Sequence, residues 1–432
     1  MNVLFTFDLH TLRQDPWSTV GPVTQIAQTL ARYAGNPSLW NGIRPRVLLT
    51  KYVPNAPLSS VVRLPHAPEV ALREFAVRWD DAAISAWCDL MRGEGKIAEI
   101  YCDVLQWLVG QYGVECFAYW GSNATIRKFC ESAGLQSVAM ELGPTRPPFR
   151  ETRYCDFMGV NGDAHTRQVD ISRIPAMDLE KWRAEGGVRY PSGSGDEAVH
   201  TPLTTRHARL IYRADRPCAL LVLQLDDDSN CLVHSRFSGM REMVGEVVPQ
   251  LVGAGWRVFV KPHPGAAPER NSGKARWLNV EGHAKSREFV ESNFSPDEAV
   301  WLDDVPAAEY TSLIDKMDMV VSVNSSMGFE AMLSGKVVVA LGNAPYNPEG
   351  VLPTLAAAAA GEFDIGAYQE SASRVCNLLL NYYLQPCNLL ENPAALGMSI
   401  RRNARLAEAW KMGGVQALTD KLLASPVGMG CN

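Results

Sequence analysis

The sequence predicts an α/β protein built from two doubly wound, Rossmann-type domains that face one another across a cleft. A chain of 432 residues exceeds what a single hydrophobic core usually organises, so two domains of about 200 residues each are expected. Short apolar runs alternate with helical stretches, the pattern of a parallel sheet with crossover helices. That rhythm dissolves in a Gly/Ser/Pro-rich stretch at 186–205 and then restarts, which marks an interdomain connection. The boundary is placed near 200, giving domains 1–200 and 201–432.

The first strand is expected at 3–7, followed by a helix at 23–33 and a strand at 46–50. Residues 67–112 read as mostly helical, with Trp79, Trp87, Leu90 and Trp107 supplying apolar faces. A clearer unit follows: a strand at 114–120, a Gly-Ser-Asn turn, a helix at 124–133, and a strand at 136–140 that ends on Glu141-Leu-Gly-Pro. Residues 156–162 read as a turn-rich continuation.

In the second half, strands are expected at 219–225, 256–260, 299–302, 319–323 and 336–341, each a predominantly apolar run suited to burial on both faces. Residues 226–236 read as a polar loop, 239–252 and 307–317 as helices, and 367–424 as helical throughout. The stretch 318–335 is a buried strand, a polar hinge and a helix opened by Ser325 and Ser326. First-turn N–H groups and the helix dipole make such a junction suitable for an anion, although the same residues also serve as ordinary N-caps.

Net charge of -6, 47% hydrophobic and 20% charged residues describe an ordinary globular chain and argue against general electrostatic binding to nucleic acid. The ten cysteines form no Cys-x-x-Cys pair, which fits a reducing compartment better than a disulfide framework. The apolar N-terminus lacks a basic leader region, and no apolar run is long enough to cross a bilayer. The expected location is therefore the cytoplasm.

Three groups at strand ends of the second domain stand out: Gln224 with Asp226, Asp227 and Asp228; Lys261 with His263; and Asn324, Ser325 and Ser326 with Glu330. One sheet would bring all three to the same edge, where ligands of open α/β sheets bind. The prolines of Lys-Pro-His-Pro hold His263 in a rigid loop, so that Lys261 and His263 suit a phosphate leaving group. Three successive aspartates cannot all line one pocket. One or two could hold Mg²⁺ with a nucleotide phosphate, act as nucleophile or base, or cap the following helix. Glu330 suits ribose hydroxyls or the helix dipole. Glu141 lies at a strand end of the first domain.

Together these motifs resemble the bacterial capsule-synthesis and O-antigen β-Kdo glycosyltransferases. Gln224-Leu-Asp-Asp-Asp228, Lys261-Pro-His-Pro264, Ser325-Ser-Met-Gly-Phe-Glu-Ala-Met-Leu-Ser-Gly335 and Gly342-x-x-x-Tyr346-x-x-x-Gly350 occur in order, and Glu141-Leu-Gly-Pro with Gly159-Val-Asn-Gly162 extends the likeness. The resemblance implies a GT-B-like pair of domains, with an N-terminal acceptor domain and a C-terminal domain that binds the donor CMP-Kdo without a metal. It implies phosphate contacts from His263, Ser325 and Ser326, and a donor site that takes in Gln224, Lys261, Asn324, Glu330 and Tyr346. Retention of configuration requires a carboxylate nucleophile: Asp228 matches the family's recurring Asp, Asp226 and Asp227 remain alternatives, and Glu141 is the matching general base. The acceptor would be a bacterial surface polysaccharide or its lipid-linked precursor, reached at the inner face of the cytoplasmic membrane among other polysaccharide-assembly proteins. The loop after Tyr346, Asn-Pro-Glu-Gly-Val-Leu, differs from that of the capsule enzymes and points to the O-antigen type. The alternatives are an inverting CMP-sialic acid transferase, a non-catalytic glycan- or nucleotide-binding module, and a UDP-sugar epimerase.

Overall fold

In a computed structural model of the chain, the described residues are 1–6, 17–33, 36–48, 60–65, 81–145, 149, 151–184, 202–211, 215–266, 277–303 and 305–427. Residues 186–201 of the connection expected at 186–205, and Trp79, lie outside them. The chain divides into two compact units, Met1–Gly143 with Arg153–His165 and Tyr382–Asn432, and Pro144–Thr152 with Thr166–Asn381.

The first unit is built on β1 (Asn2–Thr6), β2 (Arg44–Leu48), β3 (Val61–Val62), β4 (Cys116–Trp120), β5 (Gln136–Leu142), β6 (Thr152–Asp156) and β12 (Gln385–Pro386), in the order β12-β6-β5-β4-β1-β2-β3. The five strands from β3 to β5 are parallel and follow the doubly wound order; β6 runs antiparallel to β5. All five residues of β4, Cys-Phe-Ala-Tyr-Trp, are buried, as expected of a strand covered on both faces. Helices α1 (Trp17–Tyr33), α2 (Asp81–Arg92), α3 (Gly95–Tyr112) and α4 (Ala124–Ser132) complete the unit's N-terminal part. The predicted helix at 23–33 begins earlier, at Trp17, and carries Pro22 within it. Strand β6 ends at Asp156, where the turn-rich stretch expected at 156–162 begins, and residues 157–163 are bends and a short 3-10 turn.

The second unit contains β7 (Cys218–Val222), β8 (Arg257–Lys261), β9 (Ala299–Trp301), β10 (Met319–Ser322) and β11 (Val337–Ala340), all parallel, in the order β11-β10-β7-β8-β9. This is again the doubly wound order, and the chain reverses its winding between β7 and β10. Short helices α5 (Leu179–Ala184) and α6 (Thr205–Ile211) precede the sheet. Then come α7 (Ser229–His234), α8 (Met240–Gly253), α9 (Trp277–Asn293), α10 (Tyr310–Asp315), α11 (Ser326–Leu333), α12 (Leu355–Ala360) and α13 (Ile365–Asn377). Its core joins Leu221, Leu223, Val260, Val321 and Val323 to Met243, Val244 and Val247 of α8.

The α/β class, with a parallel sheet in each half and helices at the C-terminus, is as expected, but the units cut the chain elsewhere than at 200. The last helix, α14 (Pro393–Leu423), belongs to the first unit. Leu389, Leu390, Leu396 and Ile400 enter the first core beside Phe5, Ile26 and Val47, and Asn403 Nδ2 donates to the Cys155 carbonyl at 3.2 Å. Conversely, residues 166–184 join the second unit, where Asn377 Nδ2 donates to the Pro175 carbonyl at 2.7 Å. Helix α14 is broken at Gly413 and Gly414; the latter has φ 57° and ψ −140°, a conformation that only glycine takes readily. No helix among the described residues is long and apolar enough to cross a membrane, and the described cysteines are all free.

Candidate active site

At the point where the second sheet reverses its winding, β7 continues into Leu223 and Gln224, and β10 into Val323 and Asn324. Gln224 Nε2 donates a short hydrogen bond to Asn324 Oδ1, and Asn324 Nδ2 donates to the Asn343 carbonyl at 3.3 Å. The ends of β7, β10 and β11 are thereby tied together. The Gly342 turn packs so closely that a Cβ there would stand 2.7 Å from the His234 carbonyl oxygen and 2.8 Å from Val323 Cγ1. This explains the glycine that opens the Gly342–Gly350 motif.

The three aspartates have three different environments. Asp226 is buried; its Oδ1 accepts from the Met240 N–H at 2.8 Å at the start of α8, and its carboxylate lies against Gly282 of α9. Burial pushes its carboxyl above the ordinary value, with the Met240 N–H opposing the shift. Asp227, 2% exposed, is gripped by Asn279: its N–H donates to Asn279 Oδ1 at 3.3 Å, and its Oδ1 accepts from Asn279 Nδ2 at 3.0 Å. Asp228 alone is half-buried. It is the N-cap of α7, its Oδ1 accepting from the Asn230 N–H at 2.9 Å. The stretch expected as a polar loop therefore contains a helix, because Asp228 caps it and Cys231 is buried inside.

Lys261 ends β8 and is 4% exposed. Its ammonium stands 4.1 Å from the centroid of the Tyr310 ring, a favourable cation–π distance. Two residues on, His263 Nδ1 accepts from the Gly265 N–H at 2.9 Å. Burial, assisted by the Lys261 charge, pushes the imidazole down to about 4, so it is neutral at pH 7. With Nδ1 acting as acceptor, the ring proton resides on Nε2, and His263 offers an N–H donor rather than a positive charge.

Ser325 caps α11: its Oγ accepts from the Met327 N–H at 3.3 Å. Ser326 is the first helical residue, and residues 327–333 are all buried, Glu330 among them. Tyr346, fully buried, donates from its hydroxyl to the Ser325 carbonyl at 2.8 Å and stacks on Phe329. Its part is to fix the start of α11 from behind. In the first unit, Glu141 is half-buried near the end of β5, and its Oε1 accepts from the next N–H, that of Leu142, at 2.9 Å.

The parallel order of β11, β10, β7 and β8 brings the sequence-predicted groups of the second unit to one sheet edge; Glu141 belongs to the other unit. Sequence reasoning missed Asn279, Tyr310 and Asn343. Asn279 lies in α9, a helix without a strong apolar stripe, and Asn343 acts through its backbone, so neither carries a sequence signal. Tyr310 lies inside the helix predicted at 307–317, and an aromatic residue there is an ordinary core choice. Chemically, the edge offers an ammonium, an imidazole N–H and the start of a helix, a combination suited to a phosphate or other anion. No group of three or more His, Cys, Asp or Glu among the described residues is arranged to hold a metal.

The family model described as capsule polysaccharide biosynthesis protein matches residues 190–362. No curated protein matches the chain. Among solved structures, Thermosulfurimonas dismutans KpsC, beta Kdo 2,4 transferase, is similar at 15% identity over 67% of this chain and 88% of that one, with a TM-score of 0.41. The beta Kdo 2,7 transferase of the same KpsC is similar at 13% identity over 92% and 98%, with a TM-score of 0.38. The UDP-GlcNAc 2-epimerase of Neisseria meningitidis bound to UDP-GlcNAc is similar at 12% identity over 94% and 100%, with a TM-score of 0.33. Over the stretch that carries Gln224, Asp228, His263, Ser325 and Tyr346, this chain is similar to the capsule polysaccharide biosynthesis proteins.

Proposed function

We propose that the protein is a retaining glycosyltransferase that moves Kdo from CMP-β-Kdo to a hydroxyl of a bacterial surface polysaccharide, of O-antigen or capsule type, or of its lipid-linked precursor. The observation that supports this reading is that Lys261, His263 and the Ser325–Ser326 helix start all follow parallel strands, β8 and β10, that flank β7 in the second sheet. In this reading the helix start and the His263 Nε2–H hold the CMP phosphate, and the Lys261 ammonium neutralises charge as the phosphate departs, with no protein-held metal. Asn324 and Gln224 fix the floor of the site, Tyr346 fixes the helix start, and Glu330 serves the ribose.

Asp228 is the nucleophile of this proposal, because Asp226 and Asp227 are held by the Met240 N–H and by Asn279, whereas Asp228 is the half-buried member. Its carboxylate oxygen bonds to the anomeric carbon as the bond from that carbon to the CMP phosphate oxygen breaks, and CMP leaves with the electron pair. The acceptor hydroxyl then displaces the carboxylate as a general base takes its proton, the role that the motif resemblance suggests for Glu141. Two inversions give net retention. The reaction takes place in the cytoplasm, at the inner face of the membrane that carries the acceptor.

Intact-mass analysis after incubation with CMP-Kdo should find one added Kdo, located on Asp228 by peptide mapping. Product of inverted configuration by NMR, or a preference for UDP over CMP in thermal-shift binding, would overturn the reading.

A further inference from the structure

The first unit has a cavity of about 650 Å³ on the C-terminal helix, lined by Arg401, Arg402 and Arg405 and, among the described residues, by no acidic side chain. Three guanidinium groups within five residues repel one another. None forms an ion pair with a described residue, although each side chain is long enough to seek one. Arg402 is 8% exposed and fixed: Nε donates to the Ser425 carbonyl at 3.1 Å, and Nη2 donates to the Tyr382 carbonyl. Its Nη1 is buried with no hydrogen-bond partner among the described residues. Arg401 is held by a bond from Nε to the Asn41 carbonyl. Burial pushes Arg402 down to about 10, and the Arg405 charge acts in the same direction. Such a cluster is stabilised by an anion that takes N–H groups from more than one guanidinium.

The rest of the lining combines the apolar Pro386, Met398 and Val427 with the polar Gln385, Ser399 and Ser425, and Met398 is 57% exposed. The volume lies within the range of small-molecule sites and leaves room for an organic group attached to the anion. Tetrahedral phosphate oxygens match planar guanidinium forks and carry enough charge to answer several of them. We propose that this cavity binds a phosphate ester, its oxygens held by Arg401, Arg402 and Arg405 and its organic part set against Pro386, Met398 and Val427. The site lies in the other unit from the sheet edge described above and does not depend on the sugar-transfer reading.

A phosphate ester has two sources, a soluble metabolite or a lipid headgroup, and the test separates them. The full-length protein is titrated calorimetrically with sn-glycerol 3-phosphate and sedimented with phosphatidylglycerol or phosphatidylcholine vesicles. Saturable binding of glycerol phosphate, or sedimentation with phosphatidylglycerol only, supports the site and names its source. Arg405→Gln, which breaks no described bond, should weaken that binding roughly tenfold or more with an unchanged melting temperature, and the double variant with Arg401→Gln, which also loses the bond to the Asn41 carbonyl, should weaken it further. Absence of binding to both probes, equal sedimentation with phosphatidylcholine, or unweakened binding in both variants overturns the proposal.

Discussion

Gly328 lies directly under the Tyr346 hydroxyl: a Cβ on Gly328 would stand 2.5 Å from that oxygen and 2.9 Å from the ring carbon that bears it. The tyrosine in turn donates to the Ser325 carbonyl. The glycine of Ser-Ser-Met-Gly-Phe-Glu and the tyrosine of the Gly342–Gly350 motif are thus one device. Gly328→Ala should force Tyr346 off the start of α11, costing about 1–3 kcal/mol of stability and weakening CMP binding roughly tenfold or more. Tyr346→Phe removes only the hydrogen bond and should cost about 1 kcal/mol. Urea unfolding and CMP titration of both variants check this; a glycine variant as stable as the parent would contradict it.

A second close approach holds the acidic loop. A Cβ on Gly282 would stand 2.0 Å from Asp226 Oδ2, so Gly282→Ala must displace the carboxylate that caps α8 at Met240. A loss of about 1–3 kcal/mol is expected. In the Asp226→Ala background the same glycine change should cost much less, a coupling that urea unfolding of the double-mutant cycle measures.

The pattern of these elements was only partly legible in the sequence. The middles of strands β7, β8 and β10 are apolar because both faces are buried, and such runs are readable without an alignment. Helix α7 was not readable: six residues are too few for periodicity to register, and Asp-Asp-Asp resembles a loop until Asp228 is seen capping. Helix α9 escaped because Gly282 lowers its helix propensity and its charged residues spread around the axis; the glycine is explained by Asp226, distant in sequence. The sequence marks α14 as helical, but the destination of a returning chain is a tertiary fact that no local pattern encodes. The strand-end residues of the site were readable because parallel topology converts sequence position into a shared edge.

His263 gives a pH dependence with a defined sign. Its imidazole titrates near its ordinary 6.5 in the unfolded chain and at about 4 in the folded protein. Between these values the unfolded chain binds more protons, so stability intact above pH 6.5 is lost as pH falls toward 4. The shift is worth at most about 3 kcal/mol. His263→Gln, which keeps an N–H donor and cannot titrate, should lose less stability than the parent between pH 7 and pH 4.5. Urea unfolding at the two values checks this, and equal losses would show that His263 is not the group titrating.

The dual position of Asp228, cap of α7 and proposed nucleophile, allows its two roles to be separated. Asparagine caps helices about as well as aspartate, so Asp228→Asn should unfold within about 0.5 kcal/mol of the parent. An amide does not displace CMP from the anomeric carbon, and sugar transfer should fall by about three orders of magnitude or more. Asp228→Ala loses both roles and should also be less stable by about 1 kcal/mol. Asp227→Asn gives the opposite pattern, because its carboxylate is committed to Asn279: reduced stability, with activity retained in proportion to the folded fraction. Transfer rates and urea midpoints of the three variants, measured side by side, decide between the neighbours. If Asp228→Asn transfers sugar at the parental rate while Asp227→Asn is inactive but folded, the nucleophile is Asp227.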